Sequence, residues 1–292
     1  MRAAGVCSLF AVGCGGGFFE TTGGSGMSRQ LALDAGFAYW IDAGAPIRAA
    51  RDGSGQLALA PSTGGIGEIH VTNRSVIWVG DGVISEAPLT GTTTPRVLGN
   101  FTIGPFTIAV DDAHVFYARE QELVDISLDG TPDRVVSADQ FALSVAIAGD
   151  ELIGTSCAQT MGVLGLWRIA IAGGLRDELG PAFCPQALAL DDYYVYTSDR
   201  VTVDGPLGIV RTPIEGGDPV LVVENQDLTF AVRDGFVYAN QHDQIVRAAP
   251  DGTVTVLHDG RASGLAVDDT TLFWTDTSTG TLALHSAPLP DL

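Results

Sequence analysis

The strongest constraint on this chain is a repeated unit, clearest at Leu265 to Asp276, which reads LAVDDTTLFWTD. An apolar-Ala-apolar-Asp segment leads into a short acidic or Gly turn. An apolar pair ending in an aromatic residue follows. Copies begin at Leu31, Ile69, Ile108, Val145, Leu188, Phe230 and Leu265, giving seven copies spaced by 38, 39, 37, 43, 42 and 35 residues. Every copy reads as short strands. A unit of about 40 residues built only of strands predicts a β-propeller, not a helical solenoid.

Each copy divides into four segments. The first are LALD, IHVT, IAVD, VAIA, LALD, FAVR and LAVD, bulky and apolar at positions one and three. Such alternation marks one face of a strand. Position two is Ala in six copies and His70 in the other, as suits an innermost strand where blades converge. Most second segments end in an aromatic: Trp40, Trp78, Tyr117, Tyr196, Tyr238 and Trp274. The fourth copy has only Leu152-Ile153 there. These aromatics are read as core between blade faces. Most third segments end at Asp-Gly or Gly-Gly, which supply the positive φ of tight hairpins. Fourth segments (QLALA, RVLG, RVVS, PVLVV, TVTVL) follow at once.

The predicted fold is therefore all-β: a seven-bladed β-propeller of four-stranded antiparallel blades. The last copy stops after its third strand, Leu282 to Ala287. A closed ring leaves no open edge, so Phe18-Phe19-Glu20-Thr21-Thr22 is expected to supply the outer strand of the last blade. The chain divides into a signal segment (1–14), a tether with the closing strand (15–30) and the propeller (31–292).

The apolar run from Ala3 to Val12 is too short for a bilayer span, which takes about 20 residues. Ala11-Val12-Gly13-Cys14 sets small residues before a cysteine and resembles the lipobox of a bacterial lipoprotein signal. The resemblance implies a lipid on Cys14, a Gly-rich tether after it and a periplasmic or extracellular place in the envelope. The net charge is −20, with 35 acidic residues against 15 basic ones, all of them arginine. That balance argues against nucleic acid, which needs a basic surface, and against electrostatic docking on anionic lipid. Membrane contact is expected only through the anchor, and the chain is expected to be a monomer.

Tyr39-Trp40-Ile41-Asp42 and Phe273-Trp274-Thr275-Asp276 are near matches to the YWTD tetrapeptide, and the IAVD-type inner strand is similar to that of NHL repeats. The chain thus resembles YWTD- and NHL-type propellers over about residues 31–289. The resemblance implies a binder of proteins or peptides; a minority of such propellers are lactonases or lyases.

Alternating strands sort the loops onto two faces. One face carries the turns between first and second strands, where Asp34, Asp111, Asp191 and Asp268 are expected to cap through their side chains. The other carries longer loops and the crossovers between blades. It would present Asp42, Asp81, Arg119, Glu120, Asp199, Arg200, Asn240, Gln241, His242 and Asp276. Loops on a rigid scaffold are where binding groups usually sit. Blades four and five have the longest inserts there, Thr155 to Gly165 and Ser198 to Gly208. Cys157 and Cys184 both fall on this face, within reach of a disulfide that an oxidising envelope would preserve. It would add roughly 3–4 kcal/mol in the chain-entropy picture and offset the missing aromatic and missing Asp of blade four.

Catalytic signatures are absent. His70, His114, His242, His258 and His285 form no H-x-x-H or H-E-x-x-H pattern. No G-x-S-x-G elbow is present, and a phosphate-binding loop has no lysine to use. No cofactor or metal is expected. The expected function is non-catalytic: an envelope-anchored propeller binding a protein, peptide or glycan through the long-loop face. The alternatives are a hydrolase or lyase with carboxylates or His242 around the axial channel, and a purely structural member of an envelope assembly.

Overall fold

The computed structural model describes residues 31–62, 67–80, 82–91, 94–100, 108–138, 142–156, 165–182, 185, 187–202, 204–224, 229–276 and 282–290. Among these residues 27 strands form seven antiparallel sheets, six of four strands and one of three. Strands within each sheet follow chain order, so every blade is a meander. Blade one comprises Leu31–Leu33, Phe37–Asp42, Ala45–Ala50 and Leu57–Ala58. Blade seven comprises Gly264–Val267, Thr271–Asp276 and Ala283–Pro288. Its first strand lies beside that of blade one, which closes the ring. The closing segment expected at Phe18 to Thr22 lies outside the described residues.

There is no single core. Seven separate apolar clusters occupy the seven interfaces between neighbouring blades. The alternation of the first strand explains this. Leu31 and Leu33 face back toward Ala266 and Phe273 of blade seven, while Ala32 faces forward to Ile69, Val76 and Trp78 of blade two. Each interface therefore sets the small side of one blade against the bulky side of the next. Close packing of complementary shapes is what an interior demands.

The second-strand aromatics fill the same interfaces. Trp40 lies opposite Leu31, Trp78 opposite Ile69 and Trp274 opposite Leu265. Gly154 holds this place in blade four, opposite Val145. The sequence reading of blade four as lacking an aromatic needs correction here. Trp167, on the third strand (Gly165–Ala170), lies directly across from Gly154 and is fully buried. Its indole covers Gly154 so closely that a Cβ there would lie 2.2 Å from Cζ2. Blade four conserves volume, not position, so a disulfide has no missing aromatic to offset.

Five blades share a β-bulge between third and fourth strands. The register skips Leu98, Val136, Leu179, Val222 and Leu257 in turn, and each of these turns inward onto an interface cluster. Bulges twist an edge strand away from further pairing. The third strand of blade seven (Ala283–Pro288) pairs with its neighbour in unbroken register, and among the described residues it is the outermost strand of its sheet.

Candidate functional site

The face of short turns is built for rigidity. Asp34, Asp111, Asp191 and Asp268 each accept two backbone N–H bonds through Oδ1, from the residues two and three positions on. All four cap their turns as the sequence predicts. In blades one and five the second oxygen accepts a tyrosine hydroxyl five residues on: Tyr39 to Asp34 at 2.5 Å and Tyr196 to Asp191 at 2.7 Å. Burial, reinforced by the carboxylate, pushes both phenols well above the ordinary tyrosine range. In blade two Thr72 Oγ1 replaces the carboxylate, accepting from the Arg74 and Ser75 amides.

The opposite face is less uniform than its sequence suggests. Blades one, three and six close their second and third strands with two-residue turns, at Ala43-Gly44, Glu120-Gln121 and His242-Asp243. Ala43, Glu120 and His242 take the left-handed conformation these turns need. Polar residues that read as loop are paired strand ends. Long second-to-third connections occur in blades four (157–164), five (201–206) and seven (277–282).

The residues singled out from sequence separate accordingly. Asp42 is half-buried at the base of the blade-one turn. Arg119 donates to Glu122 at 2.8 Å across its own hairpin, which holds its pKa above the ordinary arginine value. His242 stands exposed at a hairpin tip. Asp199 is buried on the second strand of blade five, and Arg200 donates to Gly205 O at 2.9 Å, bracing its own loop. Asn240 is not a presented ligand group. It is 1 % exposed, donating through Nδ2 to Ala262 O and accepting from Ala262 N through Oδ1, both at 2.9 Å. That amide fixes the crossover into blade seven. Asp81, Cys157, Cys184 and Cys14 lie outside the described residues.

Two groupings were not foreseen. Asp276 Oδ2 lies 3.1 Å from His285 Nε2, and Trp274 contacts both His285 and His258, with ring centroids at 5.5 and 4.8 Å. His258 comes from blade six and His285 from the third strand of blade seven, so no local motif joins them. Nearer the axis, Glu68 Oε1 lies 2.7 Å from His70 Nε2, both side chains buried, while Oε2 accepts the Ile108 amide at 2.8 Å. His70 is thus packed between blades two and three. Among the described residues no three His, Cys, Asp or Glu side chains converge as a metal site would require.

One asymmetry runs around the ring. At the second-strand residue just after the one in register with the first residue of each repeat (Trp40 opposite Leu31, Thr197 opposite Leu188, Ala239 opposite Phe230), blades one to three carry Ile41, Val79 and Ala118. Blades four to seven carry Thr155, Ser198, Asn240 and Thr275, all buried. Three blades of this polar half, four, five and seven, also have the long connections; blade six closes with a two-residue turn.

No protein-family model and no curated protein matches the sequence. Solved structures do match in fold. BamB from Moraxella catarrhalis aligns at 15 % identity over 90 % of this chain and 84 % of its own, with a TM-score of 0.54. The WD40 β-propeller domain of Doa1 aligns at 11 % identity over 93 % of this chain and 97 % of its own, with a TM-score of 0.63. An oligogalacturonate lyase in complex with manganese aligns at 12 % identity over 87 % of this chain and 86 % of its own, with a TM-score of 0.61. At such identities the likeness is one of fold. That fold carries both binding and enzymatic activities.

Proposed function

We propose that this chain is a non-catalytic binding propeller whose ligand, a protein, peptide or glycan of the bacterial envelope, docks over blades four to seven on the face of long connections. The observation that carries the reading is the coincidence of buried Thr155, Ser198 and Thr275 with the long connections of blades four, five and seven. Long connections on a rigid scaffold are where recognition concentrates. Blades one to three combine apolar residues there with minimal turns at Ala43-Gly44 and Glu120-Gln121.

The test is affinity capture from detergent-solubilised envelope with quantitative mass spectrometry. Replacing residues 201–206 by a two-residue Asn-Gly turn removes the captured ligand. Leu175→Arg, on the opposite face at a side chain 94 % exposed, leaves it bound. Equal capture by the shortened variant, or loss with Leu175→Arg, contradicts the reading.

The proposal extends to the amino terminus and to the kinship with YWTD- and NHL-type propellers. Cys14 carries the lipid; palmitate incorporation abolished by Cys14→Ser tests this, and incorporation unchanged by that substitution refutes it. Cys157 and Cys184 form a disulfide; two reactive thiols in the acylated, non-reduced, denatured protein refute it. Phe18 to Thr22 forms the outer strand of blade seven. Residues 23–30 would then link it to Leu31, a length between those of the crossovers 260–263 and 59–68.

A further inference from the structure

Arginine joins one blade to the next around much of the ring. Arg48 donates to Leu89 O at 2.5 Å, Arg96 to Leu128 O at 3.3 Å, Arg134 to Ile171 O at 2.8 Å and Arg247 to Pro290 O at 3.3 Å. Each reaches forward, from a third or fourth strand to the carbonyl just past the third strand of the following blade. Among the described residues this link is not seen between blades four and five, five and six, or seven and one. At the seam from blade seven to blade one, Ser286 occupies the register position that Arg48 and Arg247 hold in their blades, opposite Phe273. Among the described residues blade seven has no fourth strand from which another arginine could reach.

The seam is bridged in the reverse direction. Arg51, at the end of the third strand of blade one, donates through Nε and Nη2 to Asp34 O in its own blade and through Nη1 to the Asp268 carboxylate of blade seven. Its guanidinium lies over the Phe273 ring at 5.3 Å. The sequence explains why Asp268 can accept it. In blades one and five the residue five positions after the capping aspartate is tyrosine, whose hydroxyl occupies Oδ2. In blade seven that residue is Phe273, which has no hydroxyl. Oδ2 of Asp268 is left for Arg51, and the ring that vacated it becomes the surface on which the cation rests.

We propose that Arg51 is a clasp closing the ring between the last blade and the first, and that without it the ring opens first at this seam. The pair Arg51 and Phe273 acts as one unit: phenylalanine at 273 creates the acceptor, and arginine at 51 fills it. Neither residue belongs to the proposed binding face, so failure of the clasp and failure of that reading are separable.

The experiment is native-state amide hydrogen exchange on the full chain. Arg51→Gln raises exchange at least tenfold in the first strands of blades one and seven, around Leu31 to Leu33 and Gly264 to Val267. Leu152 and Ile153 of blade four keep their protection. Adding Phe273→Tyr to Arg51→Gln supplies a hydroxyl for Asp268, as Tyr39 does for Asp34, and restores most of the protection. If Arg51→Gln does not accumulate folded, recovery of folded protein by the double variant makes the same case. Exchange that rises equally in all blades, exchange that does not change, or a double variant no better than the single one overturns the proposal.

Discussion

Gly154→Ala separates two opposing effects by sign. Glycine inside a strand weakens it relative to alanine by roughly 0.5–1 kcal/mol, so the substitution would ordinarily stabilise. Here the new Cβ would lie 2.2, 2.4 and 2.7 Å from Trp167 Cζ2, Cη2 and Cε2, against ordinary contact beginning at 3.4 Å. The indole has to retreat by about 1 Å within the packed interface between blades three and four. Overpacking of this kind costs about 1–3 kcal/mol, and the net is a loss of about 1–2 kcal/mol. Trp167→Ala alone removes a fully buried ring and costs about 3–5 kcal/mol. In that background Gly154→Ala meets open space and becomes neutral or stabilising. Urea unfolding followed by far-ultraviolet circular dichroism on the four proteins of the cycle measures this coupling. A stabilising Gly154→Ala in the wild-type background, or additive effects across the cycle, refutes the account of how blade four is filled.

Further outcomes follow from the same geometry. Asn240→Ala strands both polar groups of Ala262 and costs about 1–3 kcal/mol, with faster exchange of the Ala262 amide as its local signature. Asp191→Ala removes two turn bonds and the partner of the Tyr196 hydroxyl, so it destabilises more than Tyr196→Phe in thermal unfolding. Because burial and then the Asp191 carboxylate raise the folded pKa of Tyr196 above its model-peptide value of 10.0, the folded state binds its proton more tightly than the unfolded chain. The associated stability is intact below pH 10.0 and falls as pH rises beyond it; alkaline titration of tyrosine absorbance should show Tyr39 and Tyr196 ionising only with unfolding. Exposed Asp129 is held down to about 2, chiefly by the Ser127 hydroxyl; an NMR pH titration should find it there, and Ser127→Ala should move it upward.

Most of the fold was legible because each blade repeats the same local chemistry. Alternation in LALD and LAVD marks the inner strand, and the capping aspartates 34, 111, 191 and 268 act within three residues of themselves. What escaped depends on partners distant in sequence. Trp167 fills the place of a second-strand aromatic from the third strand, which no count of aromatics along the repeat reveals. The bulges at Leu98, Val136, Val222 and Leu257 fall in runs of adjacent apolar residues on the fourth strands, which read as plain strand, and the bulge at Leu179 lies between Glu178 and Gly180 with no such run to mark it. Asn240 looked like a presented amide because polar residues at a strand end suggest a loop; its partner lies in the next crossover. The absence of lysine gave arginine no assigned role, yet Arg48, Arg51, Arg96, Arg134 and Arg247 tie blade to blade. Trp274, Asp276 and His285 meet across the second and third strands of blade seven, and His258 joins them only because blade six stacks on blade seven.

The closed ring itself is tested most directly across its seam. Gly53 of blade one lies against Leu284 of blade seven, where a Cβ would stand 3.6 Å from the carbonyl oxygen. Spin labels at Ser54 and Ser286, with the native cysteines replaced, should give a short and narrow distance distribution by pulsed electron spin resonance. A label pair at Ser54 and Leu175, on blades one and four, should give a long one. A long or broad distribution for Ser54 and Ser286 would show that the first and last blades do not meet, and the seven-bladed ring would be wrong.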